Sequence, residues 1–262
     1  MIDLPGGSAP GIEVPMMQGF PSLRPAWLAA GLLLLALGAP LAHAGVVIDG
    51  TRVIYPAKER EVTVRLTNQG KQPVLMQVWA DRGDERSTPQ TANAPFLITP
   101  PIFRLDPQKG QSVRLMFTGE KLPQDRESLF WFNSLEVPPI PAGADSNYMQ
   151  IAVRSRLKLF YRPAGLPGDL DGAVGQVRWQ LVRQGAGYAL RGDNPSPYHL
   201  SYSGLTLAQG GRDYTAAGGM IAPFASQTFA LDGFAGGMGA GQVRYRWLSD
   251  YGVAPERTAN LH

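Results

Sequence analysis

The chain has 262 residues, 44% apolar and 17% charged, with 24 basic against 21 acidic residues and no cysteine. That length accommodates one or two domains with cores large enough to need neither disulfide nor metal. Zero cysteines exclude a disulfide scaffold and a thiol nucleophile together.

Residues 1–44 read as an export signal. An apolar run over 27–38 follows Arg24 and precedes Ala42-His43-Ala44, a small-x-small pattern that places cleavage near Ala44 and a mature N-terminus at Gly45. The run is short for a membrane span and no second one follows, so the mature chain is expected to be exported without membrane insertion. Residues 1–15 are rich in Gly and Pro and fit no part of a signal peptide, which makes Met16 and Met17 alternative starts. Without residues 1–44, which hold Arg24, Asp3 and Glu13, 23 basic and 19 acidic residues remain, a net of +4. These cations are spread along the chain and do not interleave with aromatics as a base-stacking surface requires, so nucleic acid is not an expected partner.

The rest of the chain alternates short runs of Val, Leu, Phe and Tyr with Gly, Pro and Asn, about every ten residues, and helical periodicity is nearly absent. Strands are expected over 46–55, 61–68, 74–81, 96–99, 111–117, 129–137 and 149–161, the seven-strand pattern of an immunoglobulin-like sandwich. Pro163 ends the last of them, because proline cannot donate to a ladder. Residues 164–171 then read as a linker. A second, more glycine-rich set over 174–184, 188–194, 199–208, 227–231 and 242–249 predicts a smaller β-sandwich over 172–262, after a first domain over 45–163.

Residues 148–163 are the most informative stretch. Met149, Ile151 and Val153 alternate with Gln150, Ala152 and Arg154, the pattern of a half-buried strand, and Arg154, Arg156, Lys158 and Arg162 add four cations. As a single strand this spans roughly 45 Å, far beyond the usual length of about five or six residues.

Catalytic signals are sparse. After residue 44 the only histidines are His199 and the terminal His262, too few for a histidine metal cluster or a triad, and Gly-x-Ser-x-Gly is absent. Neither a metal nor a cofactor is expected. The glycine-rich segment 236–241 resembles a phosphate loop only in composition; lying between two strands, it reads as a hairpin loop. Asp81, Asp84 and Glu85 flank Gly83 at a strand end and read as a solvated turn.

Several segments, in order, resemble the periplasmic pilus-assembly chaperones, the PapD-like family. They are Thr51-Arg52-Val53-Ile54-Tyr55, Thr99-Pro100-Pro101-Ile102-Phe103-Arg104-Leu105, Leu122-Pro123-Gln124-Asp125-Arg126-Glu127-Ser128-Leu129-Phe130-Trp131-Phe132-Asn133, Leu157-Lys158-Leu159-Phe160-Tyr161-Arg162-Pro163, Asn194-Pro195-Ser196-Pro197-Tyr198 and Ser249-Asp250-Tyr251-Gly252. The resemblance implies two immunoglobulin-like domains arranged as a boomerang and an ATP-independent chaperone without enzymatic activity, which folds and caps pilin subunits and delivers them to an outer-membrane usher. It implies that Arg52 and Lys158, with Thr51 beside them, hold the C-terminal carboxylate of a subunit. Met149, Ile151 and Val153 would fill the subunit's groove on a donated strand. Glu127, Arg162 and Asp250 match an interdomain salt-bridge network. The short segment 140–147 resembles the short-loop members associated with rod-like pili.

Two features stay open on the residues alone. Lys158 has the opposite parity from Val153, which calls for a bulge or strong twist near Ser155 if both are to face a subunit. An exposed apolar strand also invites capping by a second copy. The competing readings are a two-domain β binding module in which the basic strand is a ligand face, and, last, a secreted hydrolase, for which no nucleophile and base stand at usable spacing.

Overall fold

The computed structural model describes residues 45–140, 149–185, 187–234 and 236–262. The export signal and nearly all of segment 140–147 lie outside the described residues. The fold is almost entirely β, in two sandwiches.

The first sandwich packs a four-stranded sheet, β1 (Val46–Ile48), β3 (Val62–Asn68), β7 (Gly110–Phe117) and β5 (Phe96–Thr99), against a five-stranded sheet ordered β2 (Arg52–Pro56), β9 (Val153–Arg162), β8 (Ser128–Val137), β4 (Val74–Asp81) and β6 (Ile102–Leu105). The expected strand over 46–55 is thus two strands in different sheets. Gly50, at φ +93°, sits at the switch, in a backbone region that a side chain disfavours. The chain changes sheet again at Pro100-Pro101, whose rings end β5, so β6 was not anticipated.

Inward positions alternate as the pleat requires. Val64 and Leu66, Met76 and Val78, Val113 and Leu115, Phe130 and Phe132, and Leu159 and Tyr161 form the core. Tyr55 is buried among Phe96, Phe117 and Tyr161, and its hydroxyl donates to Arg60 O (2.9 Å) and accepts from Phe117 N (3.1 Å).

The second sandwich contains a three-stranded sheet, β10 (Arg178–Gln184), β11 (Gly187–Asp193) and β14 (Ser226–Ala230), and a four-stranded sheet ordered β13 (Arg212–Ile221), β12 (Leu200–Gln209), β15 (Gln242–Trp247) and β16 (Glu256–Asn260). Trp179 is fully buried at its centre, against Tyr202, Phe229 and Tyr245. The expected strand over 174–184 starts late, because Leu170–Gly175 is a short helix, α1. Asp169 caps it by accepting from Gly172 N (2.7 Å), and Ala173 and Val174 enter the core from the helix. Strand β13 was missed because its alanines and glycines carry little pattern, and β16 because its residues are polar at the edge of the sheet. Segment 236–241 joins β14 to β15, which lie in different sheets; it is a crossover and not a hairpin loop.

Candidate functional site

Arg52 opens β2 and Lys158 lies midway along β9. The parallel pairing of these strands sets the two residues directly opposite each other. Arg52 is 8% exposed, and its Nη1 donates to Leu248 O (3.1 Å) while Nε has no partner among the described residues. Lys158 Nζ donates to Ser201 Oγ at 3.4 Å. Burial lowers the pKa of Arg52, with Asp250 and Glu127 pulling the other way. Burial also lowers that of Lys158, and the Arg52 charge adds to the effect. The nearby carboxylates are committed elsewhere: Asp81 to Arg154 and Arg156, Glu127 and Asp250 to Arg162. Two desolvated like charges side by side form a site that an incoming anion relieves. Thr51 lies alongside, against Gly252: at φ +79°, a Cβ on that glycine would come within 2.8 Å of Thr51 Oγ1. Ser201 and the Leu248 carbonyl come from the second sandwich, and nothing in their sequence context marked them.

The second feature is an edge. Strand β8 pairs with β9 from Val153 to Tyr161, whereas β2 covers only Lys158 to Arg162. Residues 153–157 therefore carry a ladder on one side only among the described residues. The strand begins at Val153, not Met149; residues 149–152 lie outside any ladder. Met149, Ile151 and Val153 are 85%, 65% and 53% exposed.

The register of β9 with β8 is continuous. Of the bulge or strong twist expected near Ser155, the bulge is absent, and the parity of the strand holds throughout. Val153 continues the row of Leu157, Leu159 and Tyr161 on the core side, while Lys158 shares the opposite face with Arg154, Arg156, Phe160 and Arg162. The cation pair and the apolar row thus serve different faces of one strand, and no backbone irregularity is needed.

Beyond Lys158, Arg162 ties the two sandwiches together. Its Nε donates to Glu127 Oε1 (2.7 Å), and Nη1 and Nη2 donate to the two oxygens of Asp250 (2.6 and 2.8 Å). Desolvation alone would lower the pKa of Arg162, but the hydrogen bonds and charges of Asp250 and Glu127 outweigh it and raise the pKa. The second Glu127 oxygen accepts from the His199 amide (2.7 Å), a partner missed in the sequence because the contact crosses between domains.

Residues 45–167 match the family model for the N-terminal domain of PapD, a pili and flagellar-assembly chaperone, and residues 172–259 match the PapD C-terminal domain. The chain belongs to the PapD-like pili assembly chaperones. A probable fimbrial chaperone of Escherichia coli K12, YadV, is 41% identical over 222 residues, covering 83% of this chain and 90% of its own. The Bordetella pertussis chaperone FimB/FhaD is 40% identical over 237 residues, with 88% and 94% covered. The crystal structure of YadV superposes with a TM-score of 0.73 over 83% of this chain and the whole of that one. The Salmonella enterica SafB chaperone, solved with the SafA pilin, gives 0.67 at 28% identity, covering 83% of this chain and 96% of that chain.

In this chaperone Asp81 is no solvated turn residue. It is 1% exposed and accepts from Ser87 Oγ (2.7 Å), Gly83 N (2.6 Å), Asn133 Nδ2 (2.7 Å) and Arg156 Nη2 (3.1 Å). Asp84 and Glu85 are exposed, as expected. Burial alone would raise the pKa of Asp81, but these hydrogen bonds and the Arg156 charge hold it below the usual carboxylate range. A depressed folded-state value contributes stability above the unfolded pKa of about 4, lost as pH falls through the folded value. The wild type should therefore lose stability on acidification below about pH 4 more steeply than Asp81→Asn, as read by urea titration at stepped pH.

Arg162→Ala strands Glu127, which is 1% exposed, as an unpaired buried charge and is expected to cost roughly 2–4 kcal/mol. Arg52→Ala removes one of two mutually repelling cations and should stay within about 1 kcal/mol of the wild type. Equal melting temperatures for these two variants would contradict the structural role of Arg162.

Proposed function

We propose that this pilus-assembly chaperone captures subunits by pairing along the open edge of β9 and anchoring their C-terminal carboxylate on Arg52 and Lys158. The observation that carries this reading is the alignment of the two features: the ladder at 153–157, one-sided among the described residues, runs into a cation pair that has no carboxylate partner among them. A strand added there lies in line with β2. With its carboxylate at Lys158 it must run parallel to β9, as β2 does. Main-chain hydrogen bonds then supply affinity tolerant of sequence, while Val153, Ile151 and Met149 are presented to the groove of an incomplete sandwich. Two charge-assisted contacts to the carboxylate contribute about 1.5–3 kcal/mol each and fix the register. Thr51 borders the same site.

The solved complex of SafB with a pilin supports a subunit as the natural occupant. In this reading the protein works in the periplasm after cleavage near Ala44, needs no nucleotide and no catalysis, and passes its subunit to an outer-membrane usher. Among the described residues no helix is long and apolar enough to cross a membrane. A basic ligand face, as in the binding-module alternative, would need free cations, yet Arg154, Arg156 and Arg162 are each committed to an acidic partner. In the absence of subunit the same edge is available to a second copy. Sedimentation velocity over a concentration series should then show a monomer–dimer equilibrium that Ile151→Asp weakens, and strict monomer behaviour at high concentration would remove the self-capping proposal.

Periplasmic co-expression with candidate pilins tests the central reading. Wild type is expected to yield stable one-to-one complexes, with recovery falling at least about tenfold for Arg52→Ala, Lys158→Ala and Ile151→Asp while each variant remains folded. Capture indifferent to all three changes would overturn it.

A further inference from the structure

The open half of β9 poses a physical problem. Among the described residues, 153–157 have one neighbouring strand, and Val153 is more than half exposed, so only Leu157 at the far end of the stretch packs against the core. Such edges fray. Yet a strand must already be extended to template another at low entropic cost.

The opposite face of the same residues shows what holds them. Arg154 donates to Asn133 Oδ1 through Nη2 (2.7 Å) and Nε (3.2 Å), to Glu85 O through Nη1 (2.7 Å) and to Ser87 Oγ (3.1 Å). Arg156 donates through Nε to the same Asn133 oxygen (3.1 Å) and through Nη2 to Asp81. Asn133 and Ser87 in turn donate to Asp81 Oδ2, both at 2.7 Å. The two guanidinium groups stack over Trp79 and Trp131, 4.8 and 4.7 Å from the ring centroids. The strand is thus gripped from behind by β4, β8 and the turn after β4, and its edge and its Val153 side are left free.

We propose that Asp81 and Asn133 are positioning residues for subunit capture, holding Arg154 and Arg156 and through them fixing the one-sided part of β9 in extended form before a subunit arrives. This rests on the reading that the β9 edge is the pairing edge. The division of labour on the strand favours it: Arg154 and Arg156 are hydrogen-bonded within the domain, whereas Arg52 and Lys158, which would meet the ligand, have no carboxylate in salt-bridge contact among the described residues. Lysine cannot substitute in such a clasp, because one ammonium cannot make the forked contacts and stack on the ring together.

Two readouts test the proposal and separate it from its premise. In the free protein, amide hydrogen exchange at 153–157 should rise about tenfold or more in Asp81→Asn and Arg156→Lys, with 159–161 and the melting temperature of Arg156→Lys little changed and with Arg52→Ala indistinguishable from wild type at 153–157. With a purified pilin subunit refolded from denaturant in the presence of the chaperone, the capture rate should fall by a similar factor in the same two variants. Unchanged exchange at 153–157 in the folded variants overturns the clasp, as does faster exchange with wild-type capture. If wild-type protein captures no subunit at all, strand pairing falls instead, and the exchange measurements alone decide whether the clasp holds the strand.

Discussion

The parallel ladder between β2 and β9 is the constraint on which the rest depends. Strand β2 has five residues and β9 has ten, and their register starts at Arg52↔Lys158. That mismatch does two things at once. It ends the sheet edge abruptly, leaving five residues of β9 paired on one side among the described residues, and it places the cation pair at the point where pairing with β2 stops. Had β2 been a few residues longer at its start, the edge would be closed. Asp49-Gly50 prevents that by turning the chain into the other sheet, where β1 pairs with β3.

A half-open strand is an aggregation hazard in most β proteins, and cations on the edge strand are among the usual protections. Along 153–158 the cations sit on one face of the strand and Val153 and Leu157 on the other, because the register carries no bulge. Arg154 and Arg156 are folded back onto Asp81 and Asn133, so they do not project along the edge to repel an incoming chain. The strand keeps an open edge, and Arg52 and Lys158 stand where its pairing with β2 begins; in the proposed reading they mark the register for a chain that ends in a carboxylate.

Much of this was legible in the sequence, for identifiable reasons. Alternation marks an exposed strand, although it begins at Val153 and not Met149, and the linear motifs containing Arg52, Lys158, Glu127, Arg162 and Asp250 marked residues that the fold brings together as a cation pair and an interdomain network. Sheet membership was not legible: 46–55 and 96–105 read as uniform β signal, and only the turns at Gly50 and Pro100-Pro101 assign their halves to different sheets. Strands β13 and β16 escaped because pairing, not hydrophobicity, defines them. Asp81 was misread because acidic residues after a strand usually face water; its burial depends on Asn133, 52 positions away, and on Arg156, 75 positions away. Strand pairing decides such long-range contacts, and no local pattern announces them.

The two sandwiches bear on the site through the same strand. Phe160 and Arg162, next on the face that carries Lys158, contact His199 and Asp250 of the second sandwich, and Lys158 itself reaches Ser201. Movement between the domains would therefore alter the desolvation of the Arg52 and Lys158 charges, and with it the attraction for a carboxylate. The bidentate Arg162–Asp250 contact and the buried Glu127 resist that movement, since breaking either leaves charge unpaired in a shielded place. The same network that contributes stability thus holds two like charges close together and partly dry, an arrangement their own repulsion would otherwise relax.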